Sequence, residues 1–284
     1  MAKIIQFIHP GPEHSFDNYV NGRMHKNWNS DEHKRKFCKA NGEYIGIDNK
    51  NNEDKFMFWG EWEPPSFVDL TYVNLPLPEY LHSPYLPINV NGNIIVTGTQ
   101  NTDPCVFGDY FKYFVCQQIR RNGKLTQMAY LDQGDLILFG SGKNGKFLID
   151  TVFVVDNTIE VINVEPTYKV ISIDRCANYA LLGCKIYKGK TFTENETYSF
   201  TPANKSYFGR IEVPSNAMLL LNNYITNTLT QGRKVSEVNN DTIRKVWNEL
   251  KTLTQNQGLL LAHKIEWPNK IINGQRPTNK FGKC

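Results

Sequence analysis

Six prolines fall between residues 64 and 92: Pro64, Pro65, Pro76, Pro78, Pro84 and Pro87. Each fixes its own φ, removes a backbone donor and biases the residue before it away from helix. No helical bundle or coiled coil can run through such a segment. Its Phe, Leu and Tyr side chains need burial, so the expectation is an extended wrap over the protein rather than a linker or a regular element. On either side, short apolar runs alternate with Gly, Asn and Pro, the punctuation of a β-rich chain.

Lys3 to Ile8 reads as a strand that runs straight into His9-Pro10-Gly11. Glu43 to Ile47 and Lys55 to Trp62 read as a hairpin across an Asn-rich loop, and Gly134 to Phe139 with Lys146 to Asp156 as a second one. Ser30 to Ala40 reads as a short helix: Ser30 caps it, Asp31 and Glu32 open it, and Asn41-Gly42 stop it. Ile243, Val246, Trp247, Leu250 and Leu253 recur at helical spacing between Asp241 and Gly258. Ser215 to Leu229 reads as a further helix. The fold class is therefore α+β. A curved, mostly antiparallel β core with a short N-terminal helix occupies 1–204. A partly helical C-terminal region, 205–284, follows and can pack with the core as one domain.

With 40% hydrophobic and 21% charged residues, the 284-residue chain is neither disordered nor fibrous. No run reaches the ~18 apolar residues of a membrane span, so no membrane partner is expected. The first residues lack the apolar core of a secretory signal, and the six cysteines form no Cys-x-x-Cys pair. Reduced thiols in a cytoplasmic protein are the expectation. The net charge of +4 is uneven: residues 205–284 carry 12 Lys and Arg against 5 Asp and Glu, a local +7 that leaves −3 for the rest. Such a surface suits phosphates, although an ordinary solvated face explains it as well.

Four clusters carry chemical potential. His9-Pro10-Gly11-Pro12-Glu13-His14 follows a strand, where a loop can expose two imidazoles and a carboxylate for acid/base work. His33, Lys34, Arg35 and Lys36 lie nearby in sequence; on a helix, His33 and Phe37 would share one face and Arg35 and Lys39 another. Around Trp59-Gly60-Glu61-Trp62, strand alternation sets Glu61 beside Met57 and Trp59, where desolvation can raise a carboxyl pKa; a core role with Glu61 paired to a cation such as Arg35 is the plainer alternative. Gln100, Asn101 and Asp103 could read the edge of a base, or simply turn the chain at Pro104. Asp150, on one face with Leu148, Val152 and Val154, needs a buried partner. His9, Glu13, His14 and His33 could converge on a metal, but their spacing specifies none and names no cofactor. The Gly140-to-Gly145 stretch is no phosphate loop, since strands flank it on both sides.

The motifs HPGPEH at 9–14, KRKF at 34–37, WGEWEP at 59–64, NTDP at 101–104 and FGD at 107–109 resemble an uncharacterised prokaryotic protein family. The segments GDLILFGS at 134–141, DTVFVV at 150–155 and YSFTP at 198–202 belong to the same resemblance, which spans most of the chain but implies no activity. The strand GDLILF at 134–139 is also weakly similar to PUA-like barrels, which bind RNA or modified bases.

The resulting expectation is a hydrolase acting on nucleic acid or nucleotides, in bacterial defence or base modification. His9, His14 and Glu61 would be catalytic, with Lys34, Arg35, Trp59, Asn101 and Asp103 binding substrate. A non-catalytic reader of modified bases and a protein-interaction subunit are the alternatives. Oligomeric state is not legible.

Overall fold

A computed structural model describes residues 1–9, 12–20, 22–29, 34–70, 78–97, 102–164, 167, 180, 182–206, 209–215, 218–229 and 232–272. The strands are, in chain order, β1 (Ala2–Ile8), β2 (Asn18–Val20), β3 (Arg23–Lys26), β4 (Lys36–Ile45), β5 (Asn51–Gly60) and β6 (Ser66–Leu70). Then come β7 (Tyr80–Pro84), β8 (Leu86–Ile88), β9 (Lys112–Tyr113), β10 (Leu136–Lys143), β11 (Lys146–Ile159) and β12 (Ile186–Gly189). The last five are β13 (Thr201–Asn204), β14 (Ile211–Glu212), β15 (Gly232–Val238), β16 (Leu260–Ile265) and β17 (Lys270–Ile272). Helix α1 spans Asn240–Asn256.

The first sheet runs β15-β1-β10-β11-β12-β9, with β14 also on β11. β1 is parallel to β10 and antiparallel to β15. Apolar side chains cover both of its faces, as a sheet buried on both sides requires. Ile5 and Phe7 enter one core, with Phe139, Phe153 and Tyr113; Ile4 and Ile8 enter the other, with Trp247 and Leu250 of α1. The sheet curls strongly. The rings of Phe7 in β1 and Tyr113 in the far-edge strand β9 stand 6.1 Å apart, which brings the loop after β9 over the end of β1.

The second sheet runs β16-β13-β5-β4-β7-β6-β3-β2, and β16 pairs with β4 as well as with β13, closing a four-stranded ring. β17 and β8 form a separate parallel pair. The architecture is thus mostly β, with curved and largely antiparallel sheets.

The hairpin β10–β11 closes through Asn144 and Gly145, both at positive φ (51° and 71°), the two-residue turn whose twist matches its strands. Its register shifts once: Phe139 faces Thr151 and Gly140 faces Ile149, so Asp150 is the extra residue of a bulge. A Cβ on Gly140 would stand 2.1 Å from the Leu148 carbonyl oxygen, so the bulge closes only on glycine.

Helix α1 follows the expected apolar stripe, with Ile243, Val246, Trp247 and Leu250 buried; Thr254 rather than Leu253 completes it. Its N-cap is Asn239, whose side chain accepts from Thr242 N at 2.8 Å. No helix among the described residues is long and apolar enough to cross a membrane.

Four expectations need correction. The expected helix over 30–40 is not formed where the structure describes it: residues 36–40 open β4, paired with both β5 and β7, while 30–33 lie outside the described residues. Pairing on both edges outweighs the local helical pattern. Among its described residues, Ser215 to Leu229 holds a single 3₁₀ turn at Leu220–Asn223 in place of a helix, and the Leu220 and Leu221 N–H groups donate to Glu249 of α1. The proline segment is not devoid of regular structure, because β6, β7 and β8 lie within it and Pro84 and Pro87 sit in strands. Finally, the C-terminal region is less helical than expected, with β14, β15 and β16 all built into the two main sheets.

Candidate functional site

β1 ends at Ile8, and His9 follows with its N–H bonded to Gly140 O at 2.9 Å. The imidazole is 2% exposed and stacks 6.0 Å from Phe7. Its Nε2 stands 3.3 Å from Cys116 Sγ and its Nδ1 3.6 Å from Glu61 Oε2. Glu61 is the residue just past β5, and Cys116 belongs to the loop after β9. Three strand ends from two sheets therefore deliver a thiol, an imidazole and a carboxylate in one line. That is the order in which a base activates a nucleophile and a third group orients the base. The separations are slightly long, as is common for such contacts before a substrate binds.

The thiol loop is tightly held. Asp103 is fully buried, and its carboxylate accepts from the N–H groups of Phe114, Val115 and Cys116 at 2.8–2.9 Å. Its own N–H reaches Glu61 Oε2 at 3.4 Å, so one residue fixes both ends of the Cys-His-Glu line. Burial pushes the Asp103 carboxyl up to about 7, against those three donors. Tyr113 Oη donates to Cys116 O at 2.5 Å, and Thr126 Oγ1 to Gln117 O at 2.6 Å. Gln117, directly after the thiol, takes φ 59°, a left-handed turn that a non-glycine residue adopts only under constraint. Cys116 itself is half-buried, whereas Cys38, Cys105 and Cys184 are buried cysteines outside any disulfide.

Replacing Asp103 by Ala orphans three backbone donors and should lower the unfolding free energy by roughly 3–6 kcal/mol. Asp103→Asn, which keeps one acceptor oxygen, should cost less. Urea denaturation reads both; a loss under about 1 kcal/mol for the alanine variant would show that the carboxylate does not hold the loop.

Beside this line lies a second buried group. Arg210 donates through Nε to Asp150, and through Nη2 to Ser141 Oγ at 2.5 Å and Leu148 O at 3.2 Å. Its guanidinium lies 5.5 Å over the Trp59 ring. The buried partner that Asp150 required is thus Arg210, and the bulge aims the carboxylate at it.

The expected residues are distributed as follows. His9 and Glu61 meet. Trp59 is 6% exposed and packs under Arg210. Arg35 is 1% exposed, directly precedes Lys36, whose partner in β5 is Gly60, and bridges to Glu13. The expected pairing of Arg35 with Glu61 is not made, since the ion contact of Glu61 is with His9. Lys34 is half-buried at the edge of β4. Asp103, expected to read a base, instead holds backbone and is closed to a ligand.

His14 is occupied elsewhere. Its N–H donates to Arg35 O, its carbonyl oxygen accepts from His82 Nε2 at 2.9 Å, and both ring nitrogens lack a partner among the described residues. Burial, with Lys36, Lys26 and Lys34 adding to it, holds its imidazole down to about 2, which keeps it uncharged near neutral pH. Because His82 Nε2 donates to that carbonyl, its Nδ1 accepts from Ser66 at 2.8 Å, which makes this buried Ser-His pair a structural bond. Asn101 and His33 lie outside the described residues. Glu13 accepts from the N–H groups of Glu79 and Tyr80, and no group of three His, Cys, Asp or Glu among the described residues is arranged to hold a metal.

Sequence reasoning missed Cys116. Paired cysteine spacing marks metal and redox sites, and a nucleophile does not need it. The available signal was a thiol at the polar step Cys116-Gln117-Gln118 after an apolar strand. No protein-family model matches the chain, and no curated protein or solved structure is found to be similar to it.

Proposed function

We propose that the chain is a thiol-dependent hydrolase acting on an acyl or amidine carbon. The observation that carries this reading is Cys116 Sγ at 3.3 Å from His9 Nε2, with Glu61 at 3.6 Å on the far ring nitrogen. His9 Nε2 takes the thiol proton as Sγ bonds to the electrophilic carbon, while Glu61 stabilises the Nδ1–H of the resulting imidazolium. The proton passes to the leaving nitrogen or oxygen as its bond to carbon breaks. Water, deprotonated by His9, then cleaves the thioester and returns the thiol.

This keeps the hydrolytic class suggested by His9 and Glu61 and moves the nucleophile to sulfur. A nucleotide or nucleic acid remains the substrate class suggested by the basic C-terminal region. Much of that charge is locally met: Lys205 by Asp54, Lys264 by Glu43, and Arg244 and Lys245 by Asp241. The electrostatic support for a PUA-like base reader is correspondingly thin.

The test is a panel of activated esters, thioesters and amides, including nucleotide-bearing ones, followed by intact-protein mass spectrometry. An acyl adduct on Cys116, absent in Cys116→Ala at unchanged Tm, is the expected result. Turnover that persists undiminished in Cys116→Ala would overturn the proposal.

A further inference from the structure

Arg35 is buried without its hydrogen bonds. Its neighbour Arg210 is engaged by Asp150, Ser141 and Leu148 O, but Arg35 Nε and Nη2 donate to nothing among the described residues, and Asp150 Oδ2 accepts nothing. Asp150 and Arg210 both feel the Arg35 charge, which places the three groups in one neighbourhood. Lys143, half-buried, adds a third cation whose field reaches Arg210.

The identity of the two empty donors matters. Nε–H and Nη2–H lie on one edge of the guanidinium and point the same way, the fork that grips two oxygens of a carboxylate or phosphate. Nearby carboxylates answer the charge of Arg35 through space, but not these directional bonds. A buried donor pair left unmet is costly and calls for a ligand or ordered water. The fork also lies near the proposed chemistry, since Arg35 directly precedes Lys36, the partner of Gly60, and Arg210 covers Trp59, two residues before Glu61.

We infer that the Arg35 fork, flanked by Arg210, is the anchor for an oxyanion, carboxylate or phosphate, carried by the molecule that Cys116 attacks. The word substrate here rests on the thiol reading; anion binding itself does not need the thiol.

The experiment follows the Tm of the full chain as inorganic phosphate, acetate or chloride is raised at matched ionic strength. Phosphate or acetate should raise Tm with the logarithm of its concentration and chloride should not, and the anion that acts identifies the class. Cys116→Ala should keep the full shift, so a failed thiol reading leaves this result intact. Arg35→Lys preserves charge but loses the fork, and should lose most of the shift while its Tm in chloride stays close to wild type. Arg35→Gln serves as a second variant. If neither variant folds, the Nε–H resonances of ¹⁵N-arginine-labelled wild type decide: a buried one must move on phosphate or acetate addition. Equal behaviour in all three salts, or a full shift in Arg35→Lys, would overturn the inference and leave water as the occupant.

Discussion

His9→Asn should slow the alkylation of Cys116 by iodoacetamide at pH 7 about 10–100-fold, because the thiolate forms only where a base takes its proton. Glu61→Gln, which keeps the shape but not the charge, should slow it by about tenfold, since the imidazolium loses its counter-charge. The other described thiols make a quiet background. Burial pushes Cys38 up to about 12 and Cys184 up as well, and Cys105 is fully enclosed. Cys176 and Cys284 lie outside the described residues, so the measurement uses a Cys176→Ser, Cys284→Ser background. Peptide mapping after timed quenching gives the rate at each site. A Cys116 rate that does not change in His9→Asn, or that follows the pH profile of an ordinary thiol, would falsify the assignment of His9 as its base.

Acidification should unfold the protein between about pH 6.5 and 4.5. Burial holds three imidazoles far below their ordinary 6.5: His14 at about 2, His82 at about 3 and His263 at about 4. In this window the unfolded chain protonates all three and the folded chain none, so stability present above 6.5 is lost as pH falls. Asp103 works in the opposite sense. Raised to about 7, it holds a proton in the folded state that the unfolded carboxyl releases above its ordinary 3.8, which cancels one histidine. Burial raises Asp150 and Glu13 too, a further offset, and lowers His25, which adds to the loss; Asp17 and Glu43 are lowered from 3.8 and 4.5 and so act only below this window. Lys36, lowered to about 7 by burial, acts in a separate window between 10.5 and 7. Three histidines against Asp103 leave two protons, a slope on the order of 2–3 kcal/mol per pH unit before the contributions of Asp150, Glu13 and His25. Over two units that is a large part of an ordinary domain's stability. Urea midpoints across pH 7 to 4.5 measure it, and His263→Asn should flatten the slope by about 1.4 kcal/mol per unit. A flat profile would show that these imidazoles are solvated.

What the chain spells out locally, it can be read for. Asn144-Gly145 between alternating strands specifies a hairpin by itself, and the stripe from Ile243 to Leu250 specifies α1. Lys36 to Ala40 carries a helical pattern locally and becomes a strand because β5 and β7 bind both its edges, information that sits 16 to 44 residues away. The site divides along the same line. His9 and Glu61 stand out by type and by position at strand ends. Cys116 becomes visible only once the sheet curls and sets β9 beside β1. Asp103 has the composition of a turn, and nothing short of the folded loop shows that it gathers three backbone donors.

The place of β1 bears on how the protein is made. Ile4, Ile5, Phe7 and Ile8 are synthesised well before their partners, because the strand lies between β10 and β15, whose registers begin at Leu136 and Gly232. At ordinary translation speeds the wait for β15 is roughly 10–50 s. Through that interval an apolar strand with both edges open is available to neighbouring nascent chains. Escort by a holding chaperone, rather than faster folding, is what would raise the yield of this protein, and slowing synthesis over residues 10–230 would lower it.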